Sequence, residues 1–248
     1  MMARFRTLAR GLTGAALVMA CCAPRAAAPA MVFVTPTNLI EPLVLIESRQ
    51  LRGGVLKDVG EALARRMGRE ARFLPMPGKR VSEALNSGEA DLVCYVLPGW
   101  LDGDLLWTGP VIPVAEVVAA RDDAPPINRF EDLAGRRVGT VLGYRYNHLL
   151  AQPNQDLPFE RFDAPDTRSN LAKLALGRMG YAIVEELPLR HYLRHNPQTK
   201  IRSVLVLRQY TTQCAQSKRS SLDFQQVQTH LAALVREGEI DRILSTYR

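Results

Sequence analysis

The chain has 248 residues, of which 47% are hydrophobic and 23% are charged, so it can form one large domain or two small ones with true cores. Its formal net charge of +7 overstates the basic character, because the first 30 residues hold four arginines and no acid, and the rest holds 28 basic and 25 acidic residues. That mild balance, with no aromatic residues interleaved in a basic run, excludes the charge pattern typical of a nucleic-acid-binding protein.

The amino terminus, residues 1–30, is predicted to be a signal peptide. Three arginines within the first ten residues precede the short apolar run Gly11–Ala20, and small residues follow. The tetrapeptide Val18-Met19-Ala20-Cys21 resembles a bacterial lipobox, which makes Cys21 a candidate for lipidation. Simple cleavage and an uncleaved anchor are the alternatives, and all three place the remaining chain outside the cytoplasm.

The first half of the remaining chain is predicted to alternate strands and helices. The helix Val55–Met67 carries apolar residues at three- and four-residue spacing, and a glycine ends it. Pro36–Arg52 is predicted to be a loop with an extended piece at Leu43–Ile46. The other predicted elements are the strands Met31–Thr35, Ala71–Leu74, Asp91–Val96 and Val111–Ala120 and the helix Val81–Asn86. Ligands usually bind beyond the carboxyl ends of parallel strands, which directs attention to the stretch Tyr95–Trp100.

The second half is predicted to begin after the polar, proline-rich stretch Arg121–Arg129, which suits a crossing between two lobes. A strand, Arg137–Leu142, leads through Gly143 into a helix beginning at Tyr144, and such a helix start favours anions. The remaining predicted elements are strands at Phe159–Phe162, Tyr181–Val184, Val204–Leu207 and Tyr210–Gln216, and helices after Asp166, at Leu187–Arg194, at Leu222–Glu237 and at Ile240–Tyr247.

The cysteines and histidines indicate no metal site, and we expect no cofactor. Four histidines are scattered, and two of the four cysteines lie in the export segment. The other two, Cys94 and Cys214, each fall on a predicted strand. An oxidising compartment permits a disulfide between them, but the sequence does not show that they are neighbours, and we favour two buried free thiols.

Five motifs, in order along residues 31–248, resemble the bacterial extracellular solute-binding proteins of family 3, the type that binds polar amino acids. They are Gly54-x-x-x-Asp58-x-x-x-Ala62-Leu63-Ala64, Ala84-Leu85-x-Ser87-Gly88-x-Ala90-Asp91-Leu92, Trp107-Thr108-Gly109-Pro110, Asp132-Leu133-Ala134-Gly135-x-x-Val138-Gly139, and the terminal glycine, isoleucine and tyrosine pattern of Gly238–Tyr247.

The resemblance implies an α/β, two-lobed periplasmic-binding-protein fold of type II, with each lobe a sheet flanked by helices and two hinge strands joining the lobes. Residues 31–117 together with 210–248 would form lobe 1, and residues 118–209 would form lobe 2. Ligand would bind in the cleft and close the hinge.

The family's grip on an amino acid is altered here. Its members use a threonine and an arginine for the ligand carboxylate, and Pro98 and Leu101 occupy those positions. Loss of a bidentate arginine contact in a closed cleft costs roughly 2–5 kcal/mol, so we expect no α-amino acid bound in the usual way. The family's acid for the ligand amino group is matched by Glu185, which is one methylene longer.

Seven residues are candidate ligand contacts. Tyr95 and Trp100 lie at the predicted strand end, and Arg80 is the candidate replacement for the missing arginine. Ordinary packing or a solvated surface position is the competing interpretation for each, and packing leads for Trp107. The full set is Arg80, Tyr95, Trp100, Trp107, Tyr144, Arg145 and Glu185.

The sequence thus predicts a monomeric extracytoplasmic protein that captures a small polar or anionic molecule and presents it to an ABC-type importer or a sensor. One alternative is a partner or sensor protein that keeps the fold without transport. Another is an enzyme similar to the dehydratases of prephenate-like acids, in which Glu185 would serve as the cleft acid.

Overall fold

The computed structural model describes residues 29–144, 146–150 and 156–247. Eleven strands and six α-helices lie within these residues. The helices are α1 (Val55–Arg66), α2 (Val81–Ser87), α3 (Thr167–Ala175), α4 (Glu186–His195), α5 (Phe224–Arg236) and α6 (Glu239–Tyr247). The strands are β1 (Met31–Pro36), β2 (Leu45–Glu47), β3 (Gln50–Gly53), β4 (Ala71–Met76), β5 (Leu92–Val96), β6 (Leu105–Trp107), β7 (Ile112–Arg121), β8 (Arg137–Val141), β9 (Glu160–Ala164), β10 (Tyr181–Glu185) and β11 (Ile201–Ser217).

One mixed sheet with the order β4-β1-β5-β11-β7-β10-β8-β9 runs through the protein, and β6 pairs with β11 beside β5. The strands β4, β1 and β5 are parallel to each other, as are β10, β8 and β9. The carboxyl ends of these two parallel sets, where ligands commonly bind, carry the candidate site described below. The short hairpin β2–β3 stands apart from this sheet and includes a strand that the sequence did not predict.

Two long antiparallel strands, β7 and β11, join the halves of the sheet. Along β11, residues 201–212 pair with β7, and residues 213–217 pair with β5 or β6. The chain therefore has two lobes, as predicted. The predicted lobe bounds, at residues 117/118 and 209/210, fall inside these two strands, and the exact division remains a prediction.

Each lobe has a hydrophobic core on both faces of its part of the sheet. In the first lobe α1, α5 and α6 cover one face, centred on Leu63 and Leu231, and α2 covers the other with Leu85. In the second lobe Val117 faces the core under α3 and α4, while its neighbour Val118 faces the opposite core. This alternation explains why β7 is an almost uninterrupted run of buried apolar residues.

Three predicted connections differ from the structure. The two strands predicted around Val204–Gln216 are one 17-residue strand, β11, which pairs with β7 from Ile201 to Thr212 across two shifts of register. The stretch Arg121–Arg129 does not cross between lobes, since the crossing is made by β7 itself. No α-helix begins at Tyr144 in the described residues, and a short 3-10 helix, Asn147–Leu149, follows instead.

Cys94 and Cys214 form a disulfide, so the expectation of two free thiols is wrong. Their Cα atoms are 4.0 Å apart because the two residues are register partners on the adjacent antiparallel strands β5 and β11. The bond closes a sequence separation of 120 residues and ties the carboxyl-terminal part of the chain to the first lobe.

Within the described residues no helix combines the length and the apolar character that a membrane span requires. Residues 1–28 of the predicted signal peptide, including Cys21, lie outside those residues. Among the smaller predictions, Asp166 does cap α3, since its carboxylate accepts a hydrogen bond from the Ser169 backbone N–H at 2.7 Å.

Candidate functional site

Tyr95 occupies an irregular position near the end of β5. Its φ of +70° is in the left-handed region, which is uncommon for a residue with a large side chain. The register of β5 against β11 shifts at this point, so that Cys94 pairs with Cys214 and Val96 with Gln213. Tyr95 is thus the extra residue of a β-bulge, a feature that commonly redirects a side chain beside a functional site. The Tyr95 side chain is buried in the same hydrophobic core as the Cys94 side chain. In a regular strand, two consecutive side chains would point to opposite faces of the sheet.

Glu185 ends β10 and lies directly opposite Glu116 of β7 in the antiparallel register. Glu116 is only 8% exposed, and its carboxylate contacts His148 Nε2 at 2.8 Å. On the other side of β7, Glu116 is opposite Arg208 of β11. Glu116 and Glu185 are therefore cross-strand neighbours in the part of the sheet where the crossing strands meet the second lobe.

Three tyrosines surround these acids. Tyr95 interacts electrostatically with Glu185, Tyr144 and Tyr210, and Tyr210 interacts with both acids. We call Tyr95, Glu116, Tyr144, Glu185 and Tyr210 the acid–tyrosine cluster. It joins the ends of β5 and β10 and the turn after β8 to the middle of β7 and of β11, so both lobes and both crossing strands contribute.

Burial governs the protonation of the cluster. It raises the pKa of Glu185 to about 7, and only a hydrogen bond with the Tyr95 hydroxyl opposes this shift; nearby Glu116 raises the pKa further. Burial and the charge of Glu185 raise the pKa of Tyr95, Tyr144 and Tyr210. The tyrosines therefore stay neutral, whereas Glu185 changes its charge close to neutral pH.

A cavity of about 470 Å³ opens beside the cluster, and its size is within the range of small-molecule sites. Two tyrosines and Glu185 give it one polar wall, and the aliphatic side chains Val114, Leu187 and Leu244 give it an apolar wall. It is lined by Tyr95, Pro113, Val114, Ala115, Glu185, Glu186, Leu187, Arg190, Gln209, Tyr210, Thr211 and Leu244.

Side chains of the two lobes also contact each other directly. Asn38, after β1, donates a hydrogen bond from Nδ2 to the Tyr144 hydroxyl at 3.1 Å. Glu41 and Arg168 form an ion pair between the same lobes. A second interlobe cavity of about 650 Å³ lies beside this ion pair and is also lined by His191 and His195. We call this arrangement, in which the two lobes are in direct contact, closed.

Three of the predicted site residues belong to the acid–tyrosine cluster. Tyr95 and Glu185 line the smaller cavity, and Tyr144 reaches the cluster from the second lobe. Trp100 is 49% exposed and packs edge-on against Tyr210, with ring centroids 6.2 Å apart.

The other predicted contacts lie elsewhere. Trp107 packs against the core of the first lobe, in agreement with the packing interpretation. Arg80 is exposed, its side chain forms no hydrogen bond or ion pair with any described residue, and it does not line the smaller cavity. Arg145 lies outside the described residues.

Sequence reasoning missed Glu116, His148 and Tyr210. Glu116 carried a usable signal, since it is the only charged residue within the predicted strand Val111–Ala120. A single acid in a strand buried on both faces requires a partner, which His148 supplies. Neither His148 nor Tyr210 showed a comparable signal, because both positions depend on how β7 and β11 pair.

No protein-family model and no curated protein sequence matches this chain. Solved structures do match. The GluR0 ligand-binding core in complex with L-glutamate has a TM-score of 0.76 at 16% identity, over 90% of this chain and 99% of that chain. An ancestral arginine-binding protein bound to arginine has a TM-score of 0.73 at 19% identity, over 88% and 97%.

The periplasmic VFT2 domain of BvgS from Bordetella pertussis has a TM-score of 0.73 at 19% identity, over 89% of this chain and 93% of that chain. Similarity at these identities shows a common fold and no more. The chain has the two-lobed α/β architecture of the Venus flytrap and periplasmic binding proteins.

Proposed function

We propose that this protein binds a small molecule between its lobes outside the cytoplasm and presents it to the membrane subunits of an ABC-type importer or to a membrane sensor. The observation that carries this proposal is the cavity beside the acid–tyrosine cluster, because its walls come from both lobes and both crossing strands. A ligand there would contact both lobes together only in the closed state, so it would shift the hinge towards closure.

A binding role is favoured over catalysis by the nature of the cavity. The dehydratase alternative requires a cation to hold the substrate carboxylate, and the only basic residue among the described residues that line the cavity, Arg190, is paired with Glu186 at 2.7 Å. Two of the structurally similar proteins are a ligand-binding core and an arginine-binding protein, which supports the same choice.

Export is supported by chemistry independent of the signal peptide. Cys94 and Cys214 form a disulfide, and such bonds persist in oxidising compartments. We propose that the mature protein is a periplasmic monomer and that Cys21 is its lipid-anchor site. Metabolic labelling with palmitate should label the wild-type protein and leave Cys21→Ala unlabelled; equal labelling would exclude the anchor at this residue.

The binding proposal is tested on protein unfolded and refolded to remove any copurified ligand. Its melting temperature is recorded against a library of amino acids, amines, organic acids and sugars, since a ligand of the folded state raises this temperature. We expect at least one compound to raise it with a saturable dose dependence, and small-angle X-ray scattering to show compaction. Absence of any response, together with no small molecule released from freshly purified protein, would contradict the proposal.

A second candidate is a sensor or partner protein that keeps the closed form without transporting a ligand. The observation in its favour is that the lobes already contact each other through Asn38 with Tyr144 and through Glu41 with Arg168. Scattering curves separate the candidates: a transport protein opens when ligand is removed, whereas this candidate has the same closed dimensions with and without added compounds.

A further inference from the structure

We propose that the ligand is a small protonated amine with an apolar body and no carboxylate, bound in the smaller cavity with its ammonium group against Glu185. This inference rests on the proposed binding function and specifies its ligand class. Of the expected small polar or anionic ligand, it keeps the polar class and replaces the anionic one, which depended on Arg80 and Arg145.

The first argument is charge. Glu185 lines the cavity, Glu116 lies directly opposite it in the sheet, and no described residue forms an ion pair with Glu185. The cluster thus has an uncompensated acid, which favours a cation and repels a carboxylate.

The arginines nearby do not change this balance. Arg190 lines the cavity but forms an ion pair with Glu186 at 2.7 Å. The exposed Arg208 lies over the ring of Tyr210, with its guanidinium carbon 4.9 Å from the ring centroid. Each is already engaged by a neighbour, and neither approaches Glu185 closely enough to form an ion pair.

The second argument is the aromatic wall. Tyr95 and Tyr210 line the cavity, and Trp100 supports Tyr210 edge-on. Aromatic rings attract cations through their π faces, an attraction worth about 0.5–2 kcal/mol depending on desolvation. Because the Arg208 guanidinium already lies over the ring of Tyr210, the acid Glu185 and the neighbouring ring of Tyr95 are the pair suited to an ammonium group.

The third argument is the remaining surface and its hydrogen-bonding capacity. The aliphatic wall of Val114, Leu187 and Leu244 suits a hydrocarbon body. The carboxylate oxygens of Glu185 on the polar wall are hydrogen-bond acceptors. An ammonium group supplies three N–H donors and no acceptor, whereas a carboxylate would supply only acceptors.

The test varies only the head group of the ligand. Binding to refolded wild-type protein is measured by calorimetry for butylamine, butanol and pentanoate, and for phenethylamine, phenylethanol and phenylpropionate. We expect each amine to bind at least about tenfold more tightly than its alcohol, as a charge-assisted hydrogen bond would give, and each carboxylate to bind most weakly. The preference for amine over alcohol should disappear in Glu185→Gln and persist in the exposed control Glu89→Gln.

The outcomes separate this inference from the binding proposal. Equal affinity for amine and alcohol, or an amine preference that survives Glu185→Gln, would overturn the inference. If an amino acid or a carboxylate binds saturably while the amines do not, the ligand class is wrong and the binding function stands. If no compound in either panel binds and no small molecule copurifies, both proposals fail together.

Discussion

Glu116 and Glu185 face each other across the antiparallel strands β7 and β10, one bound to His148 at 2.8 Å and the other beside the Tyr95 hydroxyl. Like charges directly opposite each other in a sheet are destabilising. The fold accommodates the pair by giving Glu116 a histidine partner and by making Glu185 easier to protonate. The arrangement costs stability at alkaline pH and leaves one acid available to a ligand.

The pH dependence of stability should show this cost. Glu185 has a folded-state pKa of about 7, against an ordinary value of 4.5, so the folded state binds its proton more tightly than the unfolded state. The free energy of unfolding should therefore fall as pH rises from about 4.5 through 7 and level off near pH 8, by roughly 1–3 kcal/mol from this group. Urea unfolding of the wild type and Glu185→Gln at several pH values isolates the effect as their difference. If the two pH curves are parallel, Glu185 does not titrate in this range.

Amine binding should have the opposite pH dependence. The ionised form of Glu185 attracts the ammonium group, so the affinity for phenethylamine should rise between pH 6 and 8 as the carboxyl group loses its proton. Calorimetry in buffers of different ionisation enthalpy should detect proton release near pH 6.5. The affinity of Glu185→Gln should be unchanged over this range; a wild-type affinity that does not vary with pH would contradict the assignment.

The disulfide should contribute a large part of the stability of the first lobe. Cys94 and Cys214 are separated by 120 residues in sequence, and loss of a bond that closes so long a loop costs about 2–5 kcal/mol. We expect the double variant Cys94→Ala, Cys214→Ala to unfold at a lower urea concentration than the oxidised wild type. Reductant in the unfolding series should lower the wild-type midpoint and leave that of the double variant unchanged. A wild-type midpoint that does not respond to complete reduction would contradict this contribution.

The sequence predicted most of the elements because their signals are local. The helix α1 shows regular apolar spacing, and Asp166 precedes α3 as a cap; both depend on neighbours within a few residues. The two-lobed architecture followed from the order of motifs. The bounds of these elements differ from the predictions by one or two residues in most cases.

The candidate site was predictable only in part, since it depends on register between distant strands. Tyr95 and Glu185 were identified from their places at strand ends. The bulge that redirects Tyr95, the pairing of Glu116 with Glu185 and the disulfide all require the alignment of β5 and β7 against strands about 70–120 residues away. No local pattern encodes such an alignment.

Gly54, which precedes α1, should tolerate substitution poorly, so that a side chain there lowers the free energy of unfolding. It precedes α1 with a φ of +108°, and a Cβ there would lie 2.6 Å from the backbone oxygen of Leu43, which cannot move independently of the chain. Gly54→Ala should lower the free energy of unfolding by more than about 2 kcal/mol. The matched control is Gly68→Ala, which also has a positive φ but open space around the position, and about 1 kcal/mol is expected there. Equal losses in urea unfolding would show that the backbone contact is unimportant.

The hydrogen bond between Asn38 and Tyr144 should favour the closed arrangement of the lobes. Tyr144→Phe removes the acceptor of this 3.1 Å bond and keeps the ring, so about 0.5–1.5 kcal/mol of closure free energy should be lost. Small-angle scattering of the ligand-free variant should show larger dimensions than the wild type. Tyr146→Phe is the matched control, because that hydroxyl accepts a hydrogen bond from the Val141 N–H within one lobe, at 3.0 Å. Tyr146→Phe should lower the free energy of unfolding without enlarging the dimensions of the protein. An equal increase of the dimensions in both variants would show that the hydrogen bond between the lobes has no special role.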